Sequence, residues 1–470
     1  MRVMKFGGTS VGNADRIAAL AKIVADAYAG DKQLVVVVSA MSGVTNQLLA
    51  SAHDAAAGSL NKAIHARATL TDKHRDAINA LVSDTSEQQK LYTEVDTLLE
   101  HFGKLCYGIH ILGEVPDRAL DAIAGTGERL SARIVAAAIR NIGLRAKAID
   151  ATELVVTDDN FGDATPDSIE TNLKVQTRLL PLLRDGVIPV VTGFIGATPQ
   201  GVMTTLGRGG SDYSGGILGA ALNADEVIIW TDVNGFMTAD PNLVPDAQTI
   251  PRISYSEAAE LSYYGAKVLH PKTLLPLAPA KIPLYIKNSF EPDHPGTYIT
   301  SQTGGWDADI KAITAIKNLS LVTISGSGMM GVPGIAAKTF SAVASQSINV
   351  LMISQSSSEN NLCFIVDSSE AERTRTALRK ALDIEFHHRH IETITVTDGI
   401  AIVAAVGEQM HGRPGIAARV FTAVADAKVN VIAIAQGSSE INISFVVEAK
   451  DVPAAVVAMH KRFELGTGKK

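Results

Sequence analysis

The feature that most constrains the fold is an internal repeat in the last third of the chain. Residues 326–366 can be laid on residues 407–447 without a gap, and about half of the positions are identical. Pro333-Gly334-Ile335-Ala336-Ala337 falls on Pro414-Gly415-Ile416-Ala417-Ala418, and Ser357-Ser358-Glu359 falls on Ser438-Ser439-Glu440. Asn349 and Gln355 fall on Asn430 and Gln436. The first copy predicts a strand at 321–325, a glycine turn, a helix at 335–346, strands at 349–354 and 361–367, and a second helix. The helix rests on the apolar spacing of Ile335, Phe340, Val343 and Ala344, the strands on β-branched runs bounded by Ser, Gly and Asn. With one more strand this is the ferredoxin-like order. Two copies are too few for a solenoid, so the repeat predicts two small paired α+β domains.

The preceding part of the chain has a different rhythm. Short aliphatic runs at 3–6, 34–39, 187–192 and 227–231 read as buried parallel strands. Helical stretches such as 14–29 and 128–142 lie between them. Strand–helix alternation implies an α/β sheet covered on both faces, a three-layer αβα domain. Residues 50–112 read as a long, polar, helix-rich insertion. The main boundary falls near Thr300, giving domains 1–300, 301–385 and 386–470.

Charge and cysteine usage exclude several classes of function. Net charge is -7, and no polybasic run occurs beyond Lys469-Lys470, so the footprint of nucleic-acid binding is missing. The strongest apolar run, 34–41, is far shorter than the roughly 20 residues of a membrane span. The N-terminus reads as a strand entering a glycine turn rather than as a signal peptide. Two cysteines, Cys106 and Cys363, make neither a disulfide framework nor a zinc site. With 470 residues, 46% of them hydrophobic, the expectation is a soluble, reduced, cytoplasmic, multidomain enzyme.

Three glycine-rich turns follow strands. Lys5-Phe6-Gly7-Gly8-Thr9-Ser10-Val11-Gly12 has the glycine spacing of a Walker loop, but Asn13-Ala14 stand where Lys and Ser/Thr belong. It is a phosphate cradle of another kind or a structural turn. Residues 39–46, Ser-Ala-Met-Ser-Gly-Val-Thr-Asn, put hydroxyls and an amide at a strand end, which suits a small polar ligand or an N-cap cluster. In Gly207-Arg208-Gly209-Gly210-Ser211-Asp212, Arg208 can grip a carboxylate bidentately. Asp212 can hold a metal or order a lysine ammonium. Residues 231–235 also end a strand, and Lys267 is a second isolated lysine. Residues 326–331 satisfy G-x-G-x-x-G, yet the second copy loses the middle glycine and the next strand ends in Ser354-Gln355 rather than an acid. That excludes a dinucleotide site as the reading.

Taken in order, these segments resemble aspartate kinase, of the amino acid kinase superfamily. The matching pieces are 5–11, 38–46, 127–131, 192–196, 204–213, 230–235 and 265–271. The two repeats resemble its ACT regulatory domains. The resemblance implies phosphorylation of the β-carboxylate of L-aspartate by MgATP, the first step towards lysine, threonine, methionine and isoleucine. It assigns Lys5 and Lys267 to charge neutralisation, with backbone donors from Gly7, Gly8, Gly209 and Gly210. Asp212 organises the lysines and Mg²⁺. Arg208 takes a substrate carboxylate and Glu128 the α-ammonium, while Ser39, Thr45, Phe194 and Ser211 complete the pocket. Thr231 and Asp232 line the adenosine side, near Lys267 and Val268. The family often has Tyr and Arg where this chain has Met237 and Asn242, so adenine stacking and one phosphate contact are expected to be weaker or supplied differently. His270 is read as structural.

Asn349, Gln355, Asn430 and Gln436 are the expected contacts of an end-product amino acid, threonine first and lysine second. Pairing through the ACT-like domains implies a homodimer or a dimer of dimers. Rival readings are a non-catalytic amino-acid sensor and the kinase part of a homoserine dehydrogenase fusion. Keeping Lys5, Lys267, Arg208 and Asp212 together argues against the first. The end at Lys470, soon after the second repeat, favours a monofunctional enzyme over the second.

Overall fold

In the computed structural model, which describes residues 1–265, 268–301, 308–355 and 360–466, the aliphatic runs of the N-terminal part form one mixed sheet. Its strands are β1 (Arg2–Phe6), β2 (Leu34–Val38), β3 (Ala146–Ile149) and β4 (Ile188–Thr192). A small ribbon is made by β5 (Ile195–Ala197) and β6 (Met203–Thr205). The main sheet continues with β7 (Glu226–Thr231), β8 (Arg252–Ser254), β9 (Leu284–Asn288) and β10 (Thr297–Thr300). The order is β3-β4-β2-β1-β7-β9-β10-β8. Strands β3 to β9 in that order run parallel, and β10 is antiparallel to β9. Every residue of β2 and β4 is buried, which is why both read as unbroken apolar runs rather than alternating ones.

These strands belong to a first compact unit, Met1–Phe236 with Pro251–Tyr255 and Lys267–Thr303. Helix Ala14–Gly30 starts where the Asn13 side chain accepts from the Arg16 N–H, and it packs Ile17, Leu20 and Val24 into the core. Helix Thr126–Asn141 buries nearly all of its middle turns. The helices Val44–Ala56, Leu60–Leu81 and Thr85–Leu112 fill the stretch read as a polar insertion. They are less detached than that reading implied. Leu70, Leu91, Leu99 and Phe102 join the same core as the sheet, because a helix with one apolar stripe hides it against its neighbours whatever its outer face carries. Among the described residues no helix is long and apolar enough to cross a membrane.

The second unit comprises Met237–Ile250, Ser256–Ala266 and Gly304–Lys470. Its sheet has β11 (Ala312–Ser325), β12 (Met352–Gln355), β13 (Asn361–Asp367), β14 (Thr393–Val406), β15 (Ala433–Ala435) and β16 (Asn442–Glu448), in the order β12-β13-β11-β14-β16-β15. The fourth strand that each repeat needs is supplied by the other. Leu319 to Ser325 of β11 pair with β13, whereas Ala312 to Ile316 pair with the far half of β14. Ile400 to Val406 of β14 pair with β16 in turn. At the crossing points stand Asn318 (φ 61°) and Gly399 (φ 71°), equivalent positions in the two copies. Both are residue types that tolerate the left-handed conformation.

Each repeat has its own core, with Phe340–Phe364 and Phe421–Phe445 as matching edge-to-face pairs, ring centroids 5.6 and 5.7 Å apart. Ala239 and Val244, from the segment Met237–Ile250, are buried in the core of the second repeat.

A buried ion pair ties helix Tyr255–Tyr263 to this sheet. Lys311 Nζ lies 2.8 Å from Glu257 Oε2, the side chains being 4% and 0% exposed, and Glu257 Oε1 accepts the Glu408 N–H at 2.8 Å. Removing one partner takes away the counter-charge of the other in a dry site. Lys311→Ala is therefore expected to destabilise the second unit by about 3–5 kcal/mol, while the apolar double variant Lys311→Met with Glu257→Leu costs less than either single change. Equilibrium urea unfolding followed by circular dichroism checks this; a double variant weaker than both singles would contradict it.

Candidate active site

The parallel strands leave one place where the chain departs to both sides. β1 sits between β2 and β7, so the carboxyl ends of these strands open a crevice, the usual ligand position in an α/β sheet. Lys5 is the penultimate residue of β1. Its side chain faces helix Gly210–Ala221, and the approach is close enough that a Cβ on Gly215 would lie 3.2 Å from Lys5 Cβ. Lys5 Nζ is 2.5 Å from Asp212 Oδ1 in the first turn of that helix, with side-chain exposures of 8% and 17%.

The glycine turns divide their N–H groups between structure and ligand. The Gly7 N–H is spent on Trp230 O at 3.0 Å, and Gly7 O accepts from Ser10 N. Of this pair only Gly8 keeps an N–H unbonded among the described residues. The Gly210 N–H is likewise spent on Gly207 O at 2.9 Å, while Gly209 O accepts from Tyr213 N. The N–H groups of Gly209, Ser211 and Asp212 make no bond to the chain among the described residues. Gly209 has φ 72°, and a Cβ there would lie 2.2 Å from His270 Cβ, so no other residue fits. His270 caps the short helix Pro271–Thr273 by accepting from the Lys272 N–H, the structural part expected of it.

In front of this frame lies a cavity of about 680 Å³. Lys5, Ser39, Thr45, Glu128, Phe194, Arg208, Gly209, Gly210, Ser211 and Asp212, all singled out from the sequence, line it together. Phe194 is held at φ 69° with its N–H on Ser214 Oγ. Glu128 is fully enclosed. Its Oε1 accepts the Ala40 N–H at 3.1 Å, and its buried Oε2 has no hydrogen-bond partner among the described residues. Burial pushes its carboxyl up to about 7, while the Ala40 hydrogen bond and the charge of Lys5 pull the other way. Arg208 is exposed at the cavity edge and makes no ion pair among the described residues. A buried acid, a buried cation and a free guanidinium thus face one space.

The cavity also shows Asn46, the amide of the second turn, and two residues the sequence reading did not single out, Thr205 and Asp121. Asp121 carried a signal, an acid among Leu120, Ile123 and Ala124 in the short helix Asp117–Ala124. Thr231 and Asp232 end β7. Thr231 O accepts from the Ser289 N–H and hydroxyl, and Ser289 Oγ bonds Ser10 Oγ at 2.7 Å. Val268 lies in the turn before Pro271, and Lys267 lies outside the described residues. Met237 and Asn242 belong to the second unit, where Met237 bridges Thr249 and Asn242 donates to Asp240.

Within the second unit, the first repeat holds a cavity of about 270 Å³ between the turn 331–334, Met329, Leu362 and Gln355. Gly334 (φ 93°) precedes helix Ile335–Ala344 without a side-chain cap. Asn349 is exposed and does not line this cavity. In the second repeat the Gly412 N–H donates to the chain's own Glu440 at 2.7 Å, and Asn430 and Gln436 are exposed.

Comparison with known proteins agrees with this geometry. The amino acid kinase family profile matches residues 1–288, and an ACT domain profile matches 322–382 and 403–463. The bifunctional aspartokinase/homoserine dehydrogenase 1 of Arabidopsis thaliana chloroplasts is 38% identical over 469 residues, 98% of this chain and 51% of that protein. The chain thus spans about half the length of the first curated relatives it matches. Aspartokinase 1 of Arabidopsis chloroplasts is 33% identical over 98% of this chain and 80% of its own length. Among solved structures, E. coli aspartokinase III with aspartate and ADP, in its R-state, superposes with a TM-score of 0.83 at 29% identity, covering 99% of this chain and all of that one. The same protein with lysine and aspartate, in its T-state, gives 0.78 at 30% identity over 98% of this chain and 99% of that one. The chain belongs to the amino acid kinase family and, within it, to the aspartokinases that carry ACT domains.

Proposed function

We propose that this chain transfers the γ-phosphoryl group of ATP to the β-carboxylate of L-aspartate, giving 4-phospho-L-aspartate and ADP. The observation that carries the reading is the charge layout of one cavity: Arg208 free, Glu128 buried with an unpartnered oxygen, and Lys5 beside helix N–H groups. That layout suits a ligand with two carboxylates and one ammonium that meets a polyphosphate. The solved relative that holds aspartate and ADP supports the same substrates.

A carboxylate oxygen of aspartate attacks the γ-phosphorus, and the bond to the bridging oxygen of ADP breaks, its electron pair leaving with ADP. No base is needed, because the attacking carboxylate is ionised near pH 7. The difficulty is repulsion between anions, so catalysis is positioning and neutralisation. Lys5 supplies a fixed cation, and the N–H groups of Gly8, Gly209 and Ser211 supply dipoles. Arg208 and Glu128 orient the amino acid. Thr231, Asp232, Val268 and Lys267 form the nucleotide side, with Lys267 as second cation. Mg²⁺ held largely by phosphates needs only one or two protein carboxylates, and Asp212 fits as one of them; the ion would neutralise further phosphate charge.

The product feeds synthesis of lysine, threonine, methionine and isoleucine. An end-product amino acid binds at the first repeat, its carboxylate near the turn 331–334 and its polar group at Gln355, with threonine as first choice. Exposed Ile353 and Ile434 on the edge strands β12 and β15 support a homodimer, or a dimer of dimers, through the ACT-like domains.

Four outcomes check this. Lys5→Ala is expected to lower kcat by about 10²-fold with folding retained; a near-normal kcat would remove Lys5 from the reaction. Because the ligand ammonium needs ionised Glu128, KM for aspartate should rise about fivefold from pH 7 to pH 6, and Glu128→Gln should raise KM and flatten that dependence. Arg208→Ala should raise KM for aspartate far more than KM for ATP. Millimolar threonine or lysine should slow the wild type at subsaturating aspartate, and Gln355→Ala should relieve this with uninhibited kcat intact; an unchanged wild-type rate with either amino acid would end the regulatory assignment.

A further inference from the structure

The two buried acids on the wall of the aspartate cavity differ in what they have left to offer. Glu128 keeps an oxygen without a partner, whereas Asp121, 3% exposed, is spent on the chain. Asp121 Oδ1 accepts the Thr205 hydroxyl at 2.7 Å, and Oδ2 accepts the N–H groups of Thr205 at 2.9 Å and Gly162 at 3.0 Å. A buried carboxylate saturated by three donors is a poor ligand for an ammonium and a strong anchor for whatever carries the donors.

Those donors belong to the two segments that frame Arg208. Thr205 ends β6, three residues before Arg208, and its carbonyl accepts the Ala164 N–H at 2.9 Å. Gly162 belongs to the turn that lies against Gly207, where a Cβ would sit 2.1 Å from Asp163 Oδ1. Asp163 also pairs with Lys272, next to the histidine that covers Gly209. The loop 206–209 is therefore gripped at its root and along its flank, and both grips end on Asp121.

We infer that Asp121 is a positioning residue that holds the Arg208 loop in register with the cavity without touching the substrate. The inference rests on the proposed aspartate-binding reading for its kinetic consequence, but not for its hold on the loop. Asn can replace Asp here. Its amide oxygen would accept both N–H groups, and its NH₂ would donate to the Thr205 hydroxyl, which turns to accept. Ala leaves all three donors without a partner.

The test compares Asp121→Ala, Asp121→Asn and Thr205→Val in the full chain by steady-state kinetics and by limited trypsin cleavage after Arg208, located by mass spectrometry. Asp121→Ala is expected to raise KM for aspartate about tenfold or more with KM for ATP within about threefold. Cleavage after Arg208 should speed up about fivefold or more relative to other sites, because local opening governs access. Asp121→Asn should stay within about threefold on both readouts, and Thr205→Val should fall between them. If Asp121→Asn were as impaired in KM as Asp121→Ala with a normal cleavage pattern, Asp121 would be a charge contact to substrate and the inference would be wrong. It would also be wrong if Asp121→Ala sped cleavage everywhere or shifted both KM values alike, or if Arg208 cleavage did not change. A wild type without aspartate-dependent ATP turnover would overturn the substrate reading, while the cleavage ratio would still decide the hold on the loop. Should Asp121→Ala fail to fold, Thr205→Val against wild type decides on the same cleavage ratio.

Discussion

A lysine buried at the end of the central strand, against the start of a helix, is the constraint on which the rest of the first unit depends. The N-terminus of helix Gly210–Ala221 carries partial positive charge, so an ammonium beside it is opposed both by burial and by the helix dipole. Asp212 in the first turn answers both, lying 2.5 Å from Lys5 Nζ. Its cost is geometric. The strand and helix must meet closely, which explains Gly215 against Lys5, and the turn that enters the helix must fold back under His270, which explains Gly209. What results is a site in which Lys5 is compensated once, by Asp212, and the N–H groups of Gly209, Ser211 and Asp212 make no bond to the chain among the described residues. Such N–H groups at a helix start favour an anion.

Against this frame, the two carboxylates in the cavity separate by environment alone. Glu128 and Asp121 are both buried, and burial raises both. Asp121 receives three hydrogen bonds that favour its ionised form, whereas Glu128 receives two, from the Ala40 N–H and its own backbone N–H. The group with fewer internal partners is the one that gains most from a ligand ammonium, since pairing repays desolvation already incurred in the empty site. A carboxyl poised near neutrality is often read as a base; in the proposed reaction it serves instead as a charge-dependent grip on the ligand ammonium.

Much of this was legible in the chain itself, for identifiable reasons. The runs 34–39 and 187–192 became fully buried strands because only parallel, doubly covered strands tolerate such uniform aliphatics. Arg208 and Asp212 stood out as charges in a glycine turn, which do no packing, and Lys5 as a lone lysine in an apolar strand before one, and the structure puts the three on one cavity. Other features were out of reach. The role of Asp121 was hidden although the acid stands among apolar helix residues, since its partners Thr205 and Gly162 lie far away in sequence. The role of Gly7 changes because its N–H goes to Trp230 across the sheet, a bond no local pattern encodes. Met237 and Asn242 are expected near the nucleotide from the resemblance alone, and nothing local shows that Ala239 and Val244 of the same segment find their core in the second repeat.

The repeat shows the same limit from the other side. Its sequence gave the correct succession of elements but assigned each copy its own strands. In the structure β11 and β14 are each long enough to serve both copies, crossing over at Asn318 and Gly399. A repeat that borrows its fourth strand cannot complete its sheet alone, so neither core can be lost without exposing an edge of the other. The two copies are then expected to unfold as one cooperative body rather than as two domains in series. In the proposed regulation, a ligand held at Gln355 acts on β12 and β13, and through their pairing with β11 it acts on a strand whose other half is part of the second repeat. Lys311, one residue before that half begins, is the cation buried against Glu257. Shared strands and a buried charge thus join the two copies into one packed sheet, which in the proposed regulation is what lets a small ligand bias one arrangement over another.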